Sequence, residues 1–102
     1  MTDRADRIAA VLTDRFAPLA LRVIDDSARH AGHAGAAPGG QTHYTVLLVS
    51  AAFEGMSRLA RSRAVHEALA AEFAGGLHAL ALTLRTPAEA QSAAASARSA
   101  PV

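Results

Sequence analysis

The stretch Thr42-His-Tyr-Thr-Val-Leu-Leu-Val-Ser50, read together with the residues after it as far as Leu84, decides the fold. Residues 42–50 form a strand pattern, because Val46-Leu-Leu-Val49 is a short apolar run, buried on most sides. Ser57 then has the chemistry of a helix N-cap. The helix it opens is expected to carry Leu59, Val65 or His66, Leu69 and Phe73 on its inner face until Gly75-Gly76 ends it. Over 77–84, Leu80, Leu82 and Leu84 alternate with Ala79, Ala81 and Thr83, the period of a strand. Strand, helix and strand in this order make a right-handed crossover, so the third strand lies parallel to the second.

Upstream, Leu19, Leu21 and Val23 alternate with Ala20, Arg22 and Ile24, which suits a strand over 19–25 with one well-buried face. No helix separates it from 42–50, so these two strands can pair antiparallel. Ile8, Val11, Leu12 and Phe16 recur at helical spacing. Thr2 is the expected cap of that helix, Asp3 and Arg7 an outer i,i+4 pair, and Pro18 its end. Thr86-Pro-Ala-Glu89 has a Thr cap, Pro at the first helical position and Glu for a capping box. The order is α-β-β-α-β-α, an α+β fold with a three-stranded mixed sheet and helices packed on one face.

Length and composition agree with one domain. Of the 52 apolar residues among 102, 27 are alanine; 23 of the 25 larger ones lie between Ile8 and Leu84. The domain is therefore expected over 1–90, and the Ala/Ser-rich segment 91–102, with little to bury, is expected to fray. Ser27 to Gln41 is a long segment of small residues holding four of the seven glycines, and loops of this length are more often functional or mobile than structural. No apolar run approaches the ~20 residues of a membrane span, and the polar N-terminus has no apolar leader core, so a soluble, cytoplasmic protein is expected.

The chain has no cysteine, which excludes a disulfide framework, a thiol nucleophile and a thiolate metal site built from this chain alone. Ten arginines and no lysine face nine carboxylates, for a net charge of +1, so any basic footprint must be local. Arg58, Arg61 and Arg63 are the candidate patch. Arg58 and Arg61 share a face at the start of the second helix, where the dipole opposes cations by ~0.3–1 kcal/mol each, which points to an anionic partner as readily as to a solvated face.

Five histidines are the main functional signal. His66 reads as a packing or surface residue; no second histidine follows at position 70 to make a zincin pair. His43, alternating with Tyr44 at a strand start, reads as structural. His78 opens the crossover strand directly after a glycine turn, where ligands collect in α/β units, and its functional and structural readings are evenly matched. His30 and His33, three apart in the glycine-rich loop, suit one ligand to a site completed by something else. Gly32-His-Ala-Gly35 spells the GxxG clamp of KH domains but falls between strands rather than helices. There is no P-loop, no GxGxxG and no hydrolase constellation.

Taken in order, Leu21-Arg-Val-Ile-Asp-Asp-Ser27, His30, Thr42-His-Tyr44, Val49-Ser50, Phe53-Glu-Gly55, Arg61-x-Arg63, Leu77-His-Ala-Leu80 and Arg85-Thr-Pro resemble the BolA family over about residues 5–90. The resemblance implies a class II KH-like fold and a non-enzymatic adaptor. BolA-like proteins pair with monothiol glutaredoxins and share a bridged [2Fe–2S] cluster, in iron–sulfur trafficking, assembly or iron sensing. The partner's cysteine and glutathione hold one side. On the BolA side the resemblance implies His78 of the His-Ala-Leu motif and a loop histidine, His30 or His33. Histidine ligation would make such a cluster more labile as pH falls toward ~6.5. Some bacterial members are described as DNA-binding regulators, so the alternative is a KH-like nucleic-acid-binding transcriptional regulator using Arg58, Arg61 and Arg63. Ser62 stands where the family usually has histidine.

Overall fold

The computed structural model describes residues 3–27 and 42–99, with side chains as far as Ala94. Its centre is strand β2 (His43–Val49), flanked by β1 (Ala20–Asp25), antiparallel to it, and β3 (Ala79–Arg85), parallel to it. The period of two sends Tyr44, Val46 and Leu48 to one face of β2. The register places Leu21 and Leu84 beside Leu48, and Val23 and Leu82 beside Val46. On this face α1 (Arg4–Phe16) buries Ile8 and Leu12, and α2 (Arg58–Ala68) buries Val65. Leu69, Leu77 and Phe53 complete the core. A short α3 (Ala70–Ala74) and α4 (Pro87–Ser99) finish the chain. The α+β order and the mixed sheet with its crossover are those expected.

Several local expectations change. Asp3, not Thr2, caps α1, its carboxylate accepting from the Asp6 amide; Thr2 lies outside the described residues. The Arg7 guanidinium donates to Glu72, and Asp3 contributes a weaker charge attraction. Ala17, in the left-handed region at φ 44°, ends α1 just before Pro18. Leu19 precedes β1 and is 76% exposed, and the inward face of that strand, Leu21 and Val23, is half-buried where a well-buried one was expected.

The second helix is two pieces broken at Leu69, and its inner face runs Arg61, Val65, Leu69 at i, i+4, i+8. Leu59, two residues before Arg61 and so about 200° around the helix, is turned to solvent. His66 is exposed, as Val65 takes the core position. At the C-terminus, α4 runs from Pro87 to Ser99. Alanine has the highest helix propensity, and the capping box nucleates the run: Thr86 N donates to Glu89 Oε1 and Glu89 N to Thr86 Oγ1.

The capping glutamate has a second task. Arg61 is buried, donating from Nη1 and Nη2 to Glu89, from Nε to the Met56 carbonyl and from Nη1 to the Leu84 carbonyl. One guanidinium thereby joins α2, the free edge of β3 and the start of α4. The Arg61 hydrogen bonds, and then the Thr86 amide, hold the Glu89 carboxyl at about 2, below its ordinary 4.5. Glu72 is lowered too, first by Arg7 and then by Arg4. Both carboxylates are more acidic folded than unfolded. Their stabilisation is full above the unfolded value and is lost as pH falls through the folded one. Thermal melts from pH 7 to 2 should therefore show a flat Tm down to about pH 5 and a steady fall below it, and Glu89→Gln should lessen that acid dependence.

Candidate metal-ligand site

At the mouth of the crossover, the chain enters β3 through Gly75-Gly76, Leu77 and His78. Gly76 has φ 123°, a conformation L side chains rarely adopt, and a Cβ there would stand 3.4 Å from Arg4 Nη2. Arg4 is what holds this turn: Nη2 donates to the Gly75 carbonyl at 2.7 Å, and Nε to Glu72 Oε1 at 3.0 Å. The turn leads to His78, which is exposed and whose amide donates to the Thr42 carbonyl at 2.8 Å. The Ala79 amide shares the same acceptor at 3.1 Å.

Thr42 is also where the long loop returns. Its amide donates to Ser27 Oγ at 2.9 Å, and the His43 amide donates to that oxygen at 3.2 Å. Ser27 N in turn is held by Asp25 Oδ1 at 2.8 Å, and Asp26 N by the His43 carbonyl. Thr45 Oγ1 donates to the Asp26 carboxylate. Ser27, where 28–41 departs, and Thr42, where it ends, are thus stapled together within one hydrogen bond of the His78 backbone. His30 and His33 lie outside the described residues.

His43 joins the site from below. It is buried, its ring centroid is 5.2 Å from that of His78, and its Nδ1 is 2.9 Å from Thr42 Oγ1. Sequence reasoning placed it as structural, and its hydrogen bonding agrees. Its contact with His78 follows from the parallel register of His43 with Ala79, a cross-strand relation that strand pattern alone does not show. His66 lies elsewhere, on α2, stacked on Phe73 with Nδ1 at the Ser62 carbonyl. Among the described residues, no three His, Cys, Asp or Glu groups come together to hold a metal ion. A metal at His78 would draw its other ligands from 28–41 or from a second molecule.

The arginine patch does not assemble as a unit. Arg61 is consumed by Glu89 and two backbone carbonyls. Arg58 and Arg63 are exposed, but five residues apart they stand about 140° apart around the helix.

Comparison with known proteins supplies the family. The profile of the BolA-like proteins matches residues 12–89, which include the whole sheet, the stapled loop and His78. The chain belongs to the BolA-like family. Mouse BolA-like protein 1 is 46% identical over 82 residues, 80% of this chain and 57% of that protein. A Sinorhizobium protein described as an uncharacterized protein in the cobS 5' region is 44% identical over 85 residues, covering 82% of this chain and 91% of its own. The BolA domain of SufE1 from Arabidopsis thaliana superposes with a TM-score of 0.79 at 39% identity, over 87% of this chain and 98% of that domain. This BolA-like chain spans little more than half the length of the mammalian relatives it matches. Among its described residues, no helix is long and apolar enough to cross a membrane.

Proposed function

We propose that this BolA-like chain is a non-enzymatic adaptor that holds one side of a [2Fe–2S] cluster, the other side being held by a monothiol glutaredoxin and its glutathione. The observation that carries the reading is the stapled loop base at His78. An exposed imidazole on a constrained strand mouth stands beside the departure and return of a loop that contains two more. Covalent geometry limits His30 to within ~10 Å of Ser27 and His33 to within ~20 Å, so either can supply the second donor. The donor type fits, because imidazoles replace thiolates on one iron of Rieske-type centres. When bound, the cluster supplies the iron; the chain supplies His78, a loop histidine, and the rigid platform that sets their spacing. No catalytic group is needed, and the natural role is cluster trafficking, assembly or iron sensing.

The test is anaerobic reconstitution with a glutathione-loaded monothiol glutaredoxin, read by visible circular dichroism. A spectrum distinct from that of the glutaredoxin alone is expected. His78→Ala should abolish it, and His30→Ala and His33→Ala should separate the loop donors. A spectrum unchanged by adding this chain would overturn the reading. The nucleic-acid regulator is left with Arg58 and Arg63 on different sides of α2, and no observation favours it over the adaptor.

A further inference from the structure

A second site lies at the other end of β3. Arg58 and Ser62 of α2, Thr83 and Arg85 of β3, and the Arg61–Glu89 pair line a cleft of about 540 Å³ along the free edge of the sheet. From His78 to Arg85 the chain runs about 23 Å at ~3.3 Å per residue, so the cleft is independent of the proposed cluster site.

Its charge is unbalanced. Among the described residues Glu89 is the only carboxylate in the lining, and it is tied to Arg61 through both oxygens. Neither Arg58 nor Arg85 has an ion-pair or hydrogen-bond partner for its guanidinium among the described residues. Arg85 is nevertheless only half-exposed. Arg58 begins α2, where the helix dipole adds to the positive potential instead of offsetting it. The hydroxyls of Ser62 and Thr83 also lack partners among the described residues, and no aromatic ring lines the walls. Two uncompensated guanidiniums select a multivalent oxyanion. Two spare hydroxyls select a hydroxylated body, and the lack of an aromatic platform disfavours stacked bases.

We propose that this cleft binds a small phosphorylated, hydroxylated molecule of the sugar-phosphate class. The phosphate lies between Arg58 and Arg85, and the hydroxylated body lies against Ser62 and Thr83.

The full chain, ¹⁵N-labelled, is titrated at constant ionic strength with ribose 5-phosphate, inorganic phosphate, ribose and a single-stranded DNA oligomer. Saturable shifts are expected at the amides of residues 58, 62, 83 and 85, with ribose 5-phosphate binding more tightly than inorganic phosphate and ribose not binding. Arg58→Ala and Arg85→Ala should each weaken binding about tenfold, the loss of a charge-assisted hydrogen-bonding group. Both replace side chains without protein partners, so shifts away from the cleft should be unchanged, which confirms folding. The proposal is overturned by non-saturating shifts, by variants that bind as the wild type does, or by equal affinity for inorganic phosphate and ribose 5-phosphate. DNA binding that is tighter than ribose 5-phosphate binding, and also lost in Arg63→Ala, would likewise overturn it.

Discussion

Phe53→Ala lowers the unfolding free energy by about 3–5 kcal/mol, the range for truncating a buried aromatic. Phe53 is fully buried. Its ring lies 5.2 Å from that of Phe16, and the Arg61 guanidinium lies over its face at 5.8 Å. The site cannot collapse easily around the cavity. Phe53 sits at the end of a 3₁₀ turn (Ala51–Phe53) whose backbone is held by the Ser50 carbonyl on one side and the Met56 amide on the other. Ser50, itself buried, caps that turn and donates to the Phe16 carbonyl. A small domain has only about 5–15 kcal/mol in total, so the variant should unfold at far lower urea. The midpoint should fall with the slope m unchanged, and Phe53→Leu should recover most of the difference. A loss below about 1 kcal/mol would contradict this account of the packing.

Glu72→Ala is expected to be nearly as damaging, about 3 kcal/mol, because it strands a buried charge. The Glu72 and Arg4 side chains are 13% and 10% exposed, and Arg4 would keep the Gly75 carbonyl while losing its carboxylate. Removing both charges together, as Arg4→Met with Glu72→Met, should cost less than Glu72→Ala alone, since the largest part of the penalty is a buried guanidinium that has lost the Glu72 carboxylate. The consequence reaches the site. Arg4 packs under Gly75-Gly76, and that turn delivers His78. The His78 ring proton resonances should therefore move in Glu72→Ala and stay in place in Glu89→Gln, whose carboxylate lies at the far end of β3. Unmoved His78 resonances in Glu72→Ala would show that the turn does not depend on the ion pair.

The parts of the fold legible in the sequence are those governed by short-range rules. Leu80, Leu82 and Leu84 declared their strand, Ser57 its helix and Thr86-Pro-Ala-Glu89 the last helix, because period and cap chemistry are local. The ion pairs were not legible. Glu72 joins Arg4 and Arg7 across more than sixty positions, and no pattern along α1 distinguishes an arginine that turns inward from one that faces water. Arg61 shows the same difficulty in a sharper form. Its i+4 and i+8 neighbours are Val65 and Leu69, so periodicity does place it on the inner face, but a charged residue there reads as a surface ligand until Glu89 is seen opposite. His78 was visible as a candidate because a histidine two residues after a Gly-Gly turn, at a strand mouth, is an unusual local arrangement. Its contact with His43 needed the sheet register.

The Ser27 hydroxyl, which closes the base of the loop, separates two properties that usually trade against each other. Because both ends of 28–41 are fixed to the platform by hydrogen bonds, changing the length between them costs only a logarithmic entropy, about 0.6 kcal/mol per doubling. The core need not register the change at all. The segment between Ser27 and Thr42 is in this sense an interchangeable cartridge. Its length can change while His78 and the strands beneath it keep the same geometry.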